Sequence, residues 1–590
     1  MDGSTAILQL LSFALVALPA MAQFNAPVIY SAENSASYAG TIAQGSLFVV
    51  FGTNIGPAQL VQAGSYPLPS QIGGTAMTVT SGSTTLPCPM VYSVAGQAAA
   101  VLPSNTPLGN AMVMLTYNGQ GTPFPALVNV VPSAVGIFTL SSSGLGPGVV
   151  TALDGTVKTF AVTAKPGETV IAWATGLGPI TGPDNVLPST FPSFPGVEVF
   201  IGTQSASVVY AGRSGCCAGV DQIAFEVPAG LAGCYLPVAI RSGGRLSNFV
   251  SVAVNSSGQS CSDTAPTLPA AVMDQTLAGR SVSTAALAAG PVGVLRGLGF
   301  RQEQMFAEKL SSLLHVKVSR QDVSKLLRAN PSQRSLGRAM RKYAAAWKAL
   351  DPAAKEAIRK AVNLTQEGAL AGFGRYNTPG TLGAAVGGLF PSQGSCTVFG
   401  LMAGPLGSTS SQGLDAGSSL ALSGPAGAYT LMQRDTGQYQ VMFGSTPTGP
   451  NLPPGTYAIT SSGGRDIEAF SASLTVSGNI LWSNKAAISA VDRSQPLTIT
   501  WSGGATPGSV LIGGYSEFNT VGSAGFVCAE DTSKGTFTIP SFILSALPAT
   551  PSGGVMFIGP HPLSRQVAIP GVDLAYFIDG SSDSRSVAYQ

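Results

Sequence analysis

Short runs of β-branched and aromatic residues, each closed by Gly, Pro, Asn or Ser, recur through most of the chain. Examples are Ser46-Leu47-Phe48-Val49-Val50-Phe51, Ala111-Met112-Val113-Met114-Leu115-Thr116-Tyr117 and Val197-Glu198-Val199-Phe200-Ile201. Runs of this length, punctuated by turn residues, read as strands. They predict two β-sandwiches over residues 24–135 and 136–256, the first closing on residues 127–131 and the second on residues 249–254. The period changes to 3.6 in residues 295–376, where Met340, Tyr343, Ala344, Trp347 and Leu350 share one helical face. Pro331 and Pro352 mark helix starts there, so a small helical domain is expected, preceded by a Ser/Ala/Thr/Pro/Gly linker over 257–294 that holds one short helix. Strand-like runs resume from residue 380. They predict sandwiches over 380–490 and 491–590, or one large sandwich across both. The expected fold class is mainly β: tandem immunoglobulin-like β-sandwiches, an inserted small α-helical domain and a C-terminal β-sandwich region.

One pattern repeats. Val49-Val50-Phe51-Gly52-Thr53-Asn54-Ile55-Gly56-Pro57 returns as Ile171-Ala172-Trp173-Ala174-Thr175-Gly176-Leu177-Gly178-Pro179, and the run Gln97 to Pro103 aligns with Gln222 to Pro228. A self-similar period of this length implies a duplicated structural unit. The first copy opens with Pro27-Val28-Ile29 and carries Gly45 and the turn Gly52-Thr53-Asn54-Ile55-Gly56. That arrangement resembles the immunoglobulin-like IPT/TIG domain pattern, whose glycines suit turns with positive φ.

Composition narrows the setting. The 590 residues exceed what a single core serves, and 45% hydrophobic content can fill several. Only 9% of residues are charged, so most of the surface must be neutral. The charge is unevenly spread: residues 295–376 hold 16 of the 29 basic and 6 of the 27 acidic side chains. Arg338, Arg341, Lys342 and Lys348 flank the apolar stripe of that segment. They are candidate contacts for an anionic surface, weighed against an ordinary solvated helix face. With no aromatic platform for bases, nucleic acid is not an expected partner.

At the N-terminus, an apolar core over residues 7–19 followed by Ala20-Met21-Ala22 predicts a cleaved signal peptide over 1–22, although no Lys or Arg precedes it. No later apolar run has the length of a membrane-spanning helix. Seven cysteines fit an oxidising compartment. Cys234 with Cys261 is the favoured pair among four clustered cysteines, leaving Cys216 and Cys217 for a vicinal bridge or a swapped arrangement. Cys396 and Cys528 bracket the C-terminal region and would staple it if paired. Zinc is disfavoured because no C-x-x-C pair occurs and neither histidine is near in sequence. No calcium-loop motif is present either, so neither metal nor cofactor is expected.

Catalytic patterns are sparse. His315 and His561 fall in different domains, and no nucleophile elbow, H-E-x-x-H or phosphate-cradling loop occurs. A glycosidase needs only two carboxylates, for which Asp221 with Glu226 and Asp466 with Glu468 are candidates. Strand alternation reads these as solvent-facing side chains, and the chain is expected not to be an enzyme. Tyr210, Tyr235, Trp482 and Trp501 are candidate ligand-facing aromatics.

The run Pro89 to Pro103, the run Tyr210 to Gln222 with Cys216-Cys217, Ser247-Asn248-Phe249-Val250, and Leu497-Thr498-Ile499-Thr500-Trp501-Ser502-Gly503-Gly504 are similar to secreted proteins of Solibacter-type acidobacteria with immunoglobulin-like repeats. The resemblance covers residues 24–256 and 380–590 and is one of architecture, not of chemistry. It implies extracellular or surface-associated modules with no catalytic residues to carry over. The expected function is a secreted, non-catalytic binding or adhesion protein of the cell surface or envelope, whose partner is an extracellular protein or a polysaccharide. The alternatives are an accessory carbohydrate-binding protein and a carboxylate-pair glycoside hydrolase.

Overall fold

Thr75–Ser81 alternates buried and half-buried positions without a break, as a strand with one covered face must. The computed structural model describes residues 26–191, 193–261, 268–291, 367–376, 390–400, 411–425, 427–442, 453–476, 478, 480–518, 522–561, 563, 566–579 and 582–590. In the first unit, a sheet containing Val28–Asn34, Leu47–Thr53, Gln97–Val101 and Met90–Val94 faces a second containing Thr41–Ala43, Ala126–Val131, Gly109–Tyr117 and Thr75–Ser81. Phe48, Val50, Met77, Val79, Val113, Leu115 and Val128 fill the space between them. The second unit builds its core from Ile137, Val170, Ala172, Ile201, Ile223, Phe225, Val238 and Val252.

The duplication is preserved in the strand register. Phe51 pairs with Gln97 in the first unit, and Trp173 pairs with Gln222 in the second. Asn54 and Gly176, which occupy the same place in the repeat, both have positive φ (56° and 106°). At Gly176 a Cβ would sit 2.2 Å from the Ala134 carbonyl oxygen, so only glycine fits the second copy.

The C-terminal half departs from the sequence reading. A nine-stranded sheet runs from Phe470–Val476 through Gly455–Ser461, Ser419–Gly424, Gly427–Asp435, Gln438–Met442, Glu367–Tyr376 and Val282–Pro291 to Leu574–Asp579, with Ser411–Gly413 pairing at the side. It curls until Leu474 near one edge and Phe577 at the other join a single core. A separate body combines a six-stranded sheet, including Ser395–Gly400, Gly522–Asp531, Ser509–Phe518, Thr550–Pro560 and Asp583–Tyr589, with the three strands Ile480–Trp482, Leu497–Gly503 and Thr536–Ile539. The chain therefore crosses repeatedly between the two bodies, and neither coincides with 380–490 or 491–590. Strand addition follows backbone pairing and covered faces, and sequence adjacency is only a guide to it.

Two further corrections follow. Val282–Pro291, inside the segment read as a linker, and Glu367–Tyr376, at the end of the segment read as helical, are ten-residue strands paired antiparallel along their whole length. Both are rich in Ala and Gly, whose small side chains suit a closely covered sheet but give weak strand signals. The rest of the basic segment lies outside the described residues, with His315, Arg338, Arg341, Lys342 and Lys348; so does the signal-peptide stretch. The linker does contain a helix, Ala270–Leu277, which starts after Pro269.

Three disulfides join Cys216 to Cys217, Cys234 to Cys261 and Cys396 to Cys528. Cys88 is buried with its thiol free and its pKa pushed up to about 12 by burial, which keeps it unreactive.

Candidate functional site

The two N-terminal units meet through a buried polar joint. Arg213 and Asp221 are cross-strand partners in the hairpin of Gln204–Arg213 and Asp221–Glu226, and they form an ion pair with both side chains essentially excluded from solvent. The other terminal nitrogen of Arg213, Nη2, donates to the carbonyl of Gly45 in the first unit and to that of Gly178 in the second, at 2.6 Å each. Asp221 also accepts from the Leu177 amide at 2.8 Å. Burial raises the pKa of the Asp221 carboxyl, with the guanidinium and the amide working against that shift. Nearby, Asp184 accepts from the Ser104 amide (2.7 Å) and hydroxyl (2.6 Å), and the Thr175 hydroxyl receives the Leu47 amide at 2.8 Å.

Beside this joint lies a cleft of about 490 Å³, bounded by the first unit, the second unit and the body containing the C-terminal strand. Ser37, Tyr38 and Thr41 come from the first, Arg245 and Asn248 from the second, and Val398 and Pro548 from the third. Tyr38 and Ser142 both carry positive φ (56° and 52°), which side chains of their type seldom adopt, and the Tyr38 hydroxyl donates to the Ser142 carbonyl at 2.6 Å. Two uncommon backbone conformations thus hold each other at the mouth of the cleft. Asn248 stitches the wall: its Oδ1 accepts from the Ile137 amide (2.8 Å), and its Nδ2 donates to the carbonyls of Ile137 (3.0 Å) and Gly144 (2.8 Å). Arg245, exposed, is the single charged side chain among the lining residues. The arrangement offers an aromatic ring, hydroxyls, backbone groups and one cation, and no carboxylate.

The sequence-derived candidates land elsewhere. Trp482 and Trp501 are buried, their indole N–H groups donating to Asn484 Oδ1 (2.8 Å) and the Thr532 carbonyl (3.0 Å). Tyr235 is buried, donating to the Leu268 carbonyl at 2.9 Å. These three are core side chains with satisfied polar tips and not ligand-facing ones: Trp482 and Trp501 point to the covered face of strands whose other face is open, and Tyr235 lies on a strand covered on both faces. Tyr210 is half-buried, its hydroxyl on the Arg213 carbonyl at 2.9 Å.

Asp221 does not face solvent as alternation suggested, whereas Glu226 does; five residues apart on one strand, they point to opposite faces. Asp466 and Glu468 lie in the turn before Phe470–Val476, with Asp466 paired to Arg465 at 3.0 Å and capping the Asp415 amide. His561 is buried with its ring centroid 5.2 Å from that of Phe390, and burial lowers its pKa to about 4. Sequence reasoning missed Arg213, Tyr38, Asn248 and Arg245. The charge pair flanking the short Ser214-Gly215-Cys216-Cys217-Ala218-Gly219-Val220 loop was the available signal for Arg213.

Among the described residues no helix is long and apolar enough to cross a membrane, and no group of three or more His, Cys, Asp or Glu is placed to hold a metal ion. The architecture is that of a mainly β chain whose two N-terminal units share a buried polar joint. No protein-family model and no curated protein matches the chain. Among solved structures it is similar to SGBP-B of the Bacteroides ovatus mixed-linkage glucan utilization locus, solved in complex with a mixed-linkage heptasaccharide. That match has 12% identity over 36% of this chain and 44% of that one, with a TM-score of 0.18. It is similar to the Yersinia pseudotuberculosis adhesin InvE at 16% identity over 41% of this chain and 64% of that one, TM-score 0.12. The tandem titin immunoglobulin domains A164-A165 match at 9% identity over 39% of this chain and 97% of those domains, TM-score 0.11. The chain thus spans under half of SGBP-B and just under two thirds of InvE.

Proposed function

We propose that the protein is a non-catalytic extracellular binding or adhesion protein, exported and displayed at the cell surface or envelope. The observation that carries this reading is the three-body cleft. Its lining combines neutral side chains and backbone groups with one exposed guanidinium, a composition suited to holding a ligand and lacking the paired acid and base that hydrolysis needs. The three disulfides support an oxidising compartment. The carboxylate-pair hydrolase finds no support in Asp221 and Glu226, because the first is committed to Arg213 inside the joint.

An array carrying glycans and extracellular matrix proteins, probed with the full chain and with the Y38A/R245A double variant, tests the reading. Retention of the wild-type chain on at least one class of material, weakened by the double variant, is expected. Failure of the wild-type chain to bind any material would overturn it.

A further inference from the structure

Three uncharged segments converge on the outer side of the joint between the first two units. These are residues 64–70, 186–191 with 193–196, and 214–220, and they contain no Asp, Glu, Lys, Arg or His. They are fastened together by backbone and side-chain contacts: the Leu68 amide donates to the Asn185 carbonyl at 2.6 Å, the Ala218 amide to the Tyr66 hydroxyl at 3.0 Å, and Phe194 to the Ala211 carbonyl at 2.8 Å. Phe191 lies against Gly215, where an added Cβ would come within 3.0 Å of its ring. Yet Phe191 remains 58% exposed and Tyr66 38% exposed. Between their anchor points runs the loop that carries the Cys216–Cys217 disulfide, with Cys216 exposed and its amide held by the Ser214 hydroxyl at 3.1 Å. Bridging adjacent residues closes a small ring through the peptide, which removes freedom from the loop and presents polarisable sulfur at the surface.

We propose that this patch is a binding platform for a neutral polysaccharide, with Phe191 as its central ring, Tyr66 beside it and the vicinal disulfide as the rigid apolar floor. The inference rests on the binding reading above and assigns a ligand class and a second site to it. A pyranose ring offers an apolar C–H face to an aromatic surface and hydroxyls around its edge. Here the exposed rings supply the first contact, and Ser65, Ser70, Ser189 and Thr190 supply uncharged partners for the second. A charged polymer would find no counter-ion within these three segments. The prior ordering of the loop lowers the entropic cost of capturing a flexible chain.

Affinity electrophoresis of the full chain through gels containing hydroxyethyl cellulose, a neutral hexose polymer, or polygalacturonate, an anionic one, tests the assignment. The wild-type chain is expected to be retarded by the neutral polymer only. F191A should weaken that retention about tenfold, the loss of one stacking contact, and F191W should restore it to within about twofold of wild type. C216A/C217A should weaken it while leaving the far-ultraviolet circular dichroism unchanged, and the distant surface variant L127S should behave as wild type. Retention by the anionic polymer alone, no retention by the neutral one, or wild-type retention in F191A or C216A/C217A would overturn the platform. Binding to other array material that persists in F191A but fails in Y38A/R245A would locate recognition in the cleft, and so separates this assignment from the wider binding reading.

Discussion

Arg213 and Asp221 face each other across an antiparallel strand pair, both buried, while the same guanidinium reaches the Gly45 carbonyl of the preceding sandwich. The ion pair therefore belongs to two units at once. Replacing Arg213 with Met leaves Asp221 without its cation and two carbonyls without a donor. A loss of about 3 to 5 kcal/mol is expected, since that is the usual penalty for stranding one half of a buried pair. R213M/D221L, which removes both charges, should recover much of the loss. Urea unfolding of the three proteins followed by tryptophan fluorescence checks this, because Trp173 lies in the strand next to Asp221–Glu226. Equal stability of R213M and wild type would contradict the structural role given to the pair.

His561 sets an acid limit on the C-terminal half. Its folded pKa is lowered by burial to about 4, below the ordinary value of 6.5, so between those values the unfolded chain binds the proton and the folded chain does not. The stabilising contribution is complete above pH 6.5 and is lost as the pH falls toward 4. It amounts to about 3 kcal/mol across that window. Unfolding free energies measured between pH 7 and pH 4 should fall less steeply in H561Q than in wild type, and parallel pH profiles would count against this origin.

Cys396 and Cys528 sit opposite one another in paired strands, 132 residues apart in sequence. Opening so long a loop in the unfolded state is expected to cost about 2 to 5 kcal/mol. C396S/C528S should lower the denaturant midpoint of the C-terminal half by a corresponding amount without changing its circular dichroism.

Because strands alternate between the two C-terminal bodies, cutting the chain near residue 490 should yield no independently folded piece. Residues 268–490 lack Leu574–Asp579, the parallel partner of Val282–Pro291, and strand Ser395–Gly400 loses Gly522–Asp531. Expressed separately, 268–490 and 491–590 are expected to be aggregated or protease-sensitive, whereas 268–590 should show one cooperative transition. Soluble, protease-resistant halves would refute the interleaving.

The duplication was legible because it resides in local spacing: the run from Gln97 aligns with the run from Gln222, and in the structure each of these glutamines pairs with the aromatic at the matching position, Phe51 or Trp173. The mainly β class followed from the same short runs. The buried state of Trp482, Trp501 and Tyr235 was not legible, because a period of two places side chains on alternate faces without saying which faces another layer will cover. Asp221 was misread for that reason, its outer face being sealed by the first unit. Interleaving was hidden for a different one: Val282–Pro291 and Glu367–Tyr376 are built from Ala and Gly, which pair well under cover yet carry little strand propensity of their own. The cleft draws residues from three bodies, and no local pattern marks such a meeting.

Strands Leu574–Asp579 and Asp583–Tyr589, separated by a few residues, enter different sheets. During vectorial synthesis the two N-terminal sandwiches have all their strands early, but neither of the later sheets can close until these strands have emerged. Roughly a hundred residues of strand must wait, open to chaperones and to wrong partners, for a stretch about as long as a single hairpin.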